Sequence, residues 1–331
     1  MSTVRWGIVG TGAIADAVAG DFQFVPGGDL VAVASRRQAH ADAFADKHRV
    51  PIAYGDYRSL IESPDVDVVY IATPHPHHRD IALAAIDAGK AVLVEKAFTA
   101  TLAGAEEVVE AAQSKGVFAM EAMWTRFLPA VAAAREVVAW GRIGDVLAVQ
   151  GDLYAYRDYD PTHRLFDPAL GGGAILDLGV YLVNFAQAFL GSACSIDSKA
   201  RFHPNGVESA ATVSISHVGG GLSSLAFGLD GPGPARLIIV GTKGWVEVEP
   251  RFHHPAVITV NRSGVLPRII EAKPSGRGYS HEFAEVTKRV SEGMTESPTM
   301  PLSDTLEVMR ILEECLHQAG RYPEEASVFG G

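Results

Sequence analysis

The chain has 331 residues, 47% of them hydrophobic and 20% charged, enough to bury a full core and to divide into two domains. A formal net charge of −11 argues against a general nucleic-acid or anionic-membrane binder, because neither long-range attraction nor a basic cluster is present, and small molecules are the expected partners. The apolar runs are broken by Asp, Lys or Gly well before ~18 residues, so no transmembrane helix is expected, and Cys194 and Cys315 fit no C-x-x-C pattern, suit a reducing cytoplasm and read as buried filler.

Val4–Val9 reads as a short buried strand that turns, through glycines, into a helix. Gly10, Thr11, Gly12, Ala13, Ile14 and Ala15 spell G-x-G-x-x-A. Gly10 permits the tight turn, Gly12 lets backbone N–H groups approach a pyrophosphate, and small Ala15 allows close helix–strand packing. A glycine-rich turn alone is common; one set between a strand and a helix is the context that a dinucleotide site requires. The motif starts so early that no basic n-region and apolar stretch precede it, so no secretion signal is expected and a cytoplasmic location is.

Val31–Ser35 reads as a second strand, Arg37–His48 as a helix, Val66–Ala72 as a buried strand and Ile81–Ala88 as a helical face. Ala91–Glu95, Leu102–Ser114 and Val117–Glu121 continue as strand, helix and strand. This β-α alternation predicts a doubly wound parallel sheet, covered on both faces. After Trp124 the rhythm changes. A helix from about Pro129 to Trp140 leads into strand-like Ala211–His217, Leu222–Gly228, Arg236–Val240, Trp245–Glu249 and Val257–Val260, which predict a mainly antiparallel sheet. Helical patterns at Tyr279–Ser291 and Leu302–Gln318 close the chain. The expected division is residues 1–125, an α/β Rossmann domain, and residues 126–331, an α+β domain for substrate and oligomerisation.

At the end of the second strand stand Ser35, Arg36 and Arg37, where an NAD site usually has Asp or Glu for the ribose hydroxyls. Two guanidiniums in place of a carboxylate suit a 2′-phosphate and point to NADP, with NAD possible; idle surface arginines opening a helix are the plainer alternative. Thr73, Pro74 and His78 follow a buried strand at its carboxyl end and are expected to border the cofactor. His75, His77 and His78 match no zinc signature, so no metal is expected. Glu95-Lys96 ends another strand at the same edge, where a partly desolvated lysine beside a carboxylate has a tunable pKa, although a solvent-facing strand end is as common. Asp177, Tyr181 and Asn184 are spaced four and three apart on one side of an apolar helix. An acid there faces a cleft or a cation, or else caps backbone.

Taken together, Gly10–Ala15, the Ala88–Lys96 strand and the Gly171–Tyr181 segment resemble the glucose–fructose oxidoreductase / inositol dehydrogenase (Gfo/Idh/MocA) family. Met120–Phe127 is similar to its branch of dimeric dihydrodiol dehydrogenases and NADP-dependent D-xylose 1-dehydrogenases. The resemblance implies that Lys96 is the catalytic lysine, that Asp177 and Tyr181 take the acid and acid/base positions, and that Glu95, Trp124 and Arg126 help hold the cofactor. Ala97 stands where the family has proline. A homo-oligomer, a dimer or larger, is implied too. The expected activity is NADP-dependent hydride transfer from a sugar or vicinal-diol hydroxyl, with Tyr181 as base and Lys96 lowering its pKa; Lys96 as the base is the variant. Asp152, Tyr154 and Tyr156 are candidates for the substrate side. A reductase of a dicarbonyl or keto sugar would use the same residues in reverse, and an inactive NADP-binding regulator would keep Gly12 and Arg36 without needing Lys96, Asp177 or Tyr181.

Overall fold

A computed structural model describes residues 3–329. The chain forms two compact units, the first from residues 3–124, 275–305 and 324–329, the second from 125–274 and 306–323. The sequence predicts a single crossing between residues 125 and 126; the chain instead returns twice to the first unit. Aromatic packing explains the longer return. Phe283, on the helix Ser280–Ser291, lies with ring centroids 4.8 Å from Trp6, 5.4 Å from Phe22 and 4.9 Å from Tyr70, and covers a face that residues 3–124 leave apolar. Asp21 fixes the approach, its carboxylate accepting the main-chain N–H groups of Arg277 at 2.8 Å and Tyr279 at 3.2 Å.

The first unit holds a six-stranded parallel sheet in the order β3-β2-β1-β4-β5-β6. Its strands are β1 (Val4–Val9), β2 (Gly28–Ala34), β3 (Ile52–Tyr54), β4 (Val68–Ile71), β5 (Ala91–Glu95) and β6 (Ala119–Ala122). β4 and β5 are buried along their whole length, as continuous Val/Ile/Leu runs in a doubly covered sheet should be. The order reverses between β1 and β4, which makes the crevice beyond their carboxyl ends the expected ligand seat. The three-residue β3 and the helix Tyr57–Ile61 are too short to carry a period, and sequence reading passes over them.

The second unit carries an eight-stranded sheet, β14-β13-β12-β11-β7-β10-β9-β8. These are β7 (Val146–Tyr154), β8 (Ala193–Phe202), β9 (Glu208–His217), β10 (Leu222–Gly228), β11 (Leu237–Gly241), β12 (Gly244–Val248), β13 (Val257–Arg262) and β14 (Val265–Glu271). All neighbours are antiparallel except β7 and β10. One face is covered by the helix Val180–Leu190: a Cβ on Gly151 of β7 would come within 2.6 Å of Leu182. Among the described residues Pro168–Leu190 is long and apolar enough to cross a membrane, contrary to expectation, and 78% of its apolar window is buried within the protein. It is the core helix of this sheet. Cys315 is buried as expected, its thiol pushed up to about 12 by burial, whereas Cys194 is exposed, because β8 lies at the sheet edge.

Candidate active site

Gly10 follows β1 at the reversal of strand order, with φ +106° and no room for a side chain, since a Cβ would lie 2.6 Å from the carbonyl oxygen of Ala72. Gly12 caps the helix Ala13–Asp21, whose first turn has no side-chain cap, and a Cβ on Gly12 would meet nothing within 4 Å. Gly12 and Ala13 are exposed, Thr11 and Ile14 half-buried, and Ala15 is packed beneath. The result is open space at the uncapped N–H groups of a helix, which fits the pyrophosphate of a dinucleotide.

Ser35 is buried, its hydroxyl 3.5 Å from that of Thr11, while Arg36 and Arg37 are exposed. Arg36 stands beside Tyr57 and His77. Burial pushes the Tyr57 phenol up and the Arg36 guanidinium pulls it back; burial and then the Arg36 charge push His77 down. A cation flanked by an aromatic and an imidazole thus follows β2, with no carboxylate at residues 35–37.

The loops after β4 and β5 are tied together by histidines. One ring nitrogen of His75 lies 3.2 Å from the Lys96 carbonyl oxygen, and His78 places its two ring nitrogens 2.7 Å from Thr73 O and 3.1 Å from Ala97 O. His78 is 0% exposed, burial pushes it down to about 4 against the pull of these carbonyls, and both ring nitrogens are taken up by main-chain oxygens, so the ring serves the scaffold. His78, expected to border the cofactor, is enclosed by these two loops instead; Thr73 and Pro74, expected there too, are half-buried just past β4. Among the described residues no three His, Cys, Asp or Glu side chains are grouped to hold a metal ion.

Lys96 is half-buried at the end of β5, and the Lys96–Ala97 peptide bond is cis. Glu95 turns inward. Its carboxylate accepts the Tyr70 hydroxyl at 2.5 Å and the Lys96 main-chain N–H at 3.1 Å, and so supports the lysine's backbone. Glu121 and Glu282 are buried near it, both at 0% exposure. Trp124, also buried, stacks on Tyr279 with ring centroids 4.5 Å apart. Sequence reading missed Tyr279 as a partner because it enters with the returning segment.

In the second unit Asp177 lies within a π-helical turn, Ile175–Gly179, that runs into the helix Val180–Leu190. The wider i→i+5 turn modifies the simple helical spacing expected for Asp177 and Tyr181. The Asp177 carboxylate is 3.4 Å from the Arg164 guanidinium, and the Tyr181 ring lies 5.5 Å from that of His253. Neither Arg164 nor His253 carries a local motif, and both escaped sequence reading. Asn184 sits deeper: it accepts from Arg126 Nε at 2.8 Å, while another Arg126 nitrogen donates to Gln187 at 2.6 Å. Arg126, expected to enclose the cofactor, is 4% exposed and donates to these helix amides, whose oxygens help satisfy a buried guanidinium. Asp152 accepts the main-chain N–H of Ala235 at 2.8 Å and Tyr156 is exposed, so these two serve a surface turn and solvent, while Tyr154 packs against Gly233.

Residues 4–123 match the oxidoreductase family with the NAD-binding Rossmann fold, and residues 131–247 match the GFO/IDH/MocA C-terminal domain. The chain belongs to the Gfo/Idh/MocA family. It is 35% identical over 333 residues to the trans-1,2-dihydrobenzene-1,2-diol dehydrogenase of Bos taurus, a likeness that covers 97% of this chain and 99% of that one. In fold it is similar to a levoglucosan dehydrogenase solved with NADH and levoglucosan (TM-score 0.88, 22% identity, 96% and 98% of the two chains). It is also similar to a 3-ketoreductase from Actinomadura kijaniata solved with NADP and TDP-benzene (TM-score 0.85, 23% identity, 96% and 98%). This Gfo/Idh/MocA protein is therefore an oxidoreductase with an NAD-binding Rossmann domain.

Proposed function

We propose that the protein is an NADP-dependent dehydrogenase of a sugar or vicinal-diol hydroxyl, of the aldose or trans-dihydrodiol type. The observation that carries this reading is the near-full-length likeness to a trans-dihydrobenzenediol dehydrogenase, in a chain that has Lys96, Asp177 and Tyr181. A bound nicotinamide nucleotide supplies the hydride acceptor. Tyr181 takes the hydroxyl proton as phenolate, and the Lys96 cation lowers the phenol's pKa from its usual value near ~10. Asp177 orients Lys96 or a neighbouring substrate hydroxyl, its carboxylate standing 3.4 Å from the Arg164 guanidinium. Arg36 supports NADP over NAD, since a guanidinium pairs with a phosphate through charge-assisted hydrogen bonds. The same groups in reverse reduce a dicarbonyl or keto sugar. The exposed Leu222 and Trp245 on the open face of the second sheet support a homodimer.

The test is turnover of a panel of aldoses, inositols and trans-diols with NADP and with NAD. NADPH should form with at least one class. Tyr181→Phe and Lys96→Met should each lower kcat by about 10²–10⁴-fold, and Arg36→Ala should cut the NADP/NAD ratio of kcat/KM by about tenfold or more, the worth of a charged hydrogen bond. Tight NADP binding with no turnover on the whole panel, or in reverse with NADPH, would replace this reading with a regulator.

A further inference from the structure

A buried ion pair in the second unit has no part in the chemistry above. Glu208, the first residue of β9, is 0% exposed. Its Oε1 accepts the main-chain N–H of Ile175 at 3.2 Å, and its Oε2 accepts an N–H of Arg321 at 2.7 Å. A second guanidinium nitrogen of Arg321 reaches the carbonyl oxygen of Gly172 at 3.5 Å. Gly173, with φ +131°, lies against the same carboxylate, where any Cβ would overlap it. Residues remote in sequence, at the start of β9 and just past the helix Leu302–Gln318, thus grip both sides of the glycine turn that starts the π-helical segment.

That turn needs an external hold. Gly171 and Gly173 both have positive φ, and glycines give up more conformational freedom than other residues when fixed. Asp177 follows Ile175 by two residues and Tyr181 by six, so the direction of the Ile175 N–H sets where both side chains are presented. Burial pushes the Glu208 carboxyl up and the Arg321 charge pulls it part of the way back.

We propose that Glu208 and Arg321 are positioning residues, their ion pair fixing the glycine turn and with it the angle at which Asp177 and Tyr181 meet the substrate. The proposal rests on the catalytic reading of those two side chains. Arg321→Met, Arg321→Lys and Glu208→Gln should be assayed on the best substrate of the panel, well below each variant's Tm, together with NADP affinity and hydrogen exchange over residues 174–181. A misplacement of the order of 1 Å can cost about 100-fold, so Arg321→Met should lose about ten- to 100-fold in kcat. Its NADP affinity should be unchanged and exchange at the Ile175 amide faster, while Arg321→Lys recovers part of the rate. If Arg321→Met does not fold, Glu208→Gln carries the same expectation more mildly. Unchanged kcat in a folded variant, with or without faster exchange, overturns the proposal, as does a rate loss that only follows lost NADP affinity. If the wild-type protein is inactive on the whole panel, the catalytic reading falls, and unaltered exchange in the variants would show separately that the pair does not hold the turn.

Discussion

Glu282 has 0% exposure, and neither carboxyl oxygen has a hydrogen-bond partner. Burial first, then the charges of Glu95 and Glu121, push it well above the usual carboxylate range; Tyr70 completes the surroundings, itself pushed up by burial and by Glu95, with Glu282 and Tyr279 adding. A raised acid holds a proton in the folded state that the unfolded chain releases above 4.5, so its contribution weakens folding as pH rises from there. Glu282→Gln should raise Tm, with a gain that is small at pH ~5 and grows toward pH ~8 as the linkage requires. A constant gain across that range, or a loss, would refute it. His78 acts in the opposite sense: lowered from 6.5 to about 4, it costs stability as pH falls through that interval, by about 3 kcal/mol in all from the size of the shift. Lys96 and Asp177 were legible as candidates because a charge at a strand's carboxyl end or in an apolar helix is costly without a use. The inward turn of Glu95, His78 and Arg126 was not, since it depends on acceptors many residues away.

At the scale of elements, most strands and helices with a full period were legible, whereas the short β3, the edge strands β8 and β14 and the central β7 were not delimited. Val4–Ala15 reads correctly because strand, turn and helix are specified within twelve consecutive residues. β14 is exposed along nearly its whole length and shows no burial alternation to read. The π-helical turn at Ile175–Gly179 is also hidden, because no local period marks it and its contacts come from β9 and Arg321. The return of the helix Ser280–Ser291 to the first unit depends on Asp21, which is 4% exposed and accepts three hydrogen bonds from Arg277 and Tyr279. Asp21→Ala should destabilise the protein by about 2–3 kcal/mol, the worth of hydrogen bonds to a buried charge, read by urea unfolding. A change below ~0.5 kcal/mol, the range of ordinary surface substitutions, would mean that the aromatic packing alone holds the segment.

For the whole molecule, the open face of the second sheet is the main unfinished surface. Leu222, Ala226, Ile238, Val240 and Trp245 lie on the side opposite buried Val149, Leu225, Ile239 and Val246, and Leu222 is 58% and Trp245 43% exposed. Gln150, Ser224 and Glu247 share that side, and a face that mixes exposed apolar and polar groups in this way suits the surface of a self-complementary dimer. Light scattering should find twice the chain mass of 35.1 kDa, and Trp245→Glu should shift the protein toward monomer; a wild-type monomer at micromolar concentration would end this reading.

The sequence by itself determined the dinucleotide turn, the parallel and antiparallel halves and the chemical types at Lys96, Asp177 and Tyr181, because each is written in neighbouring residues through period, glycine placement and the cost of stranding a charge. Only the tertiary structure decided that the chain returns to its first unit, that Glu95 and His78 serve the scaffold, and that Glu208 with Arg321 grips the glycine turn. Those outcomes depend on which distant acceptor or ring meets each side chain.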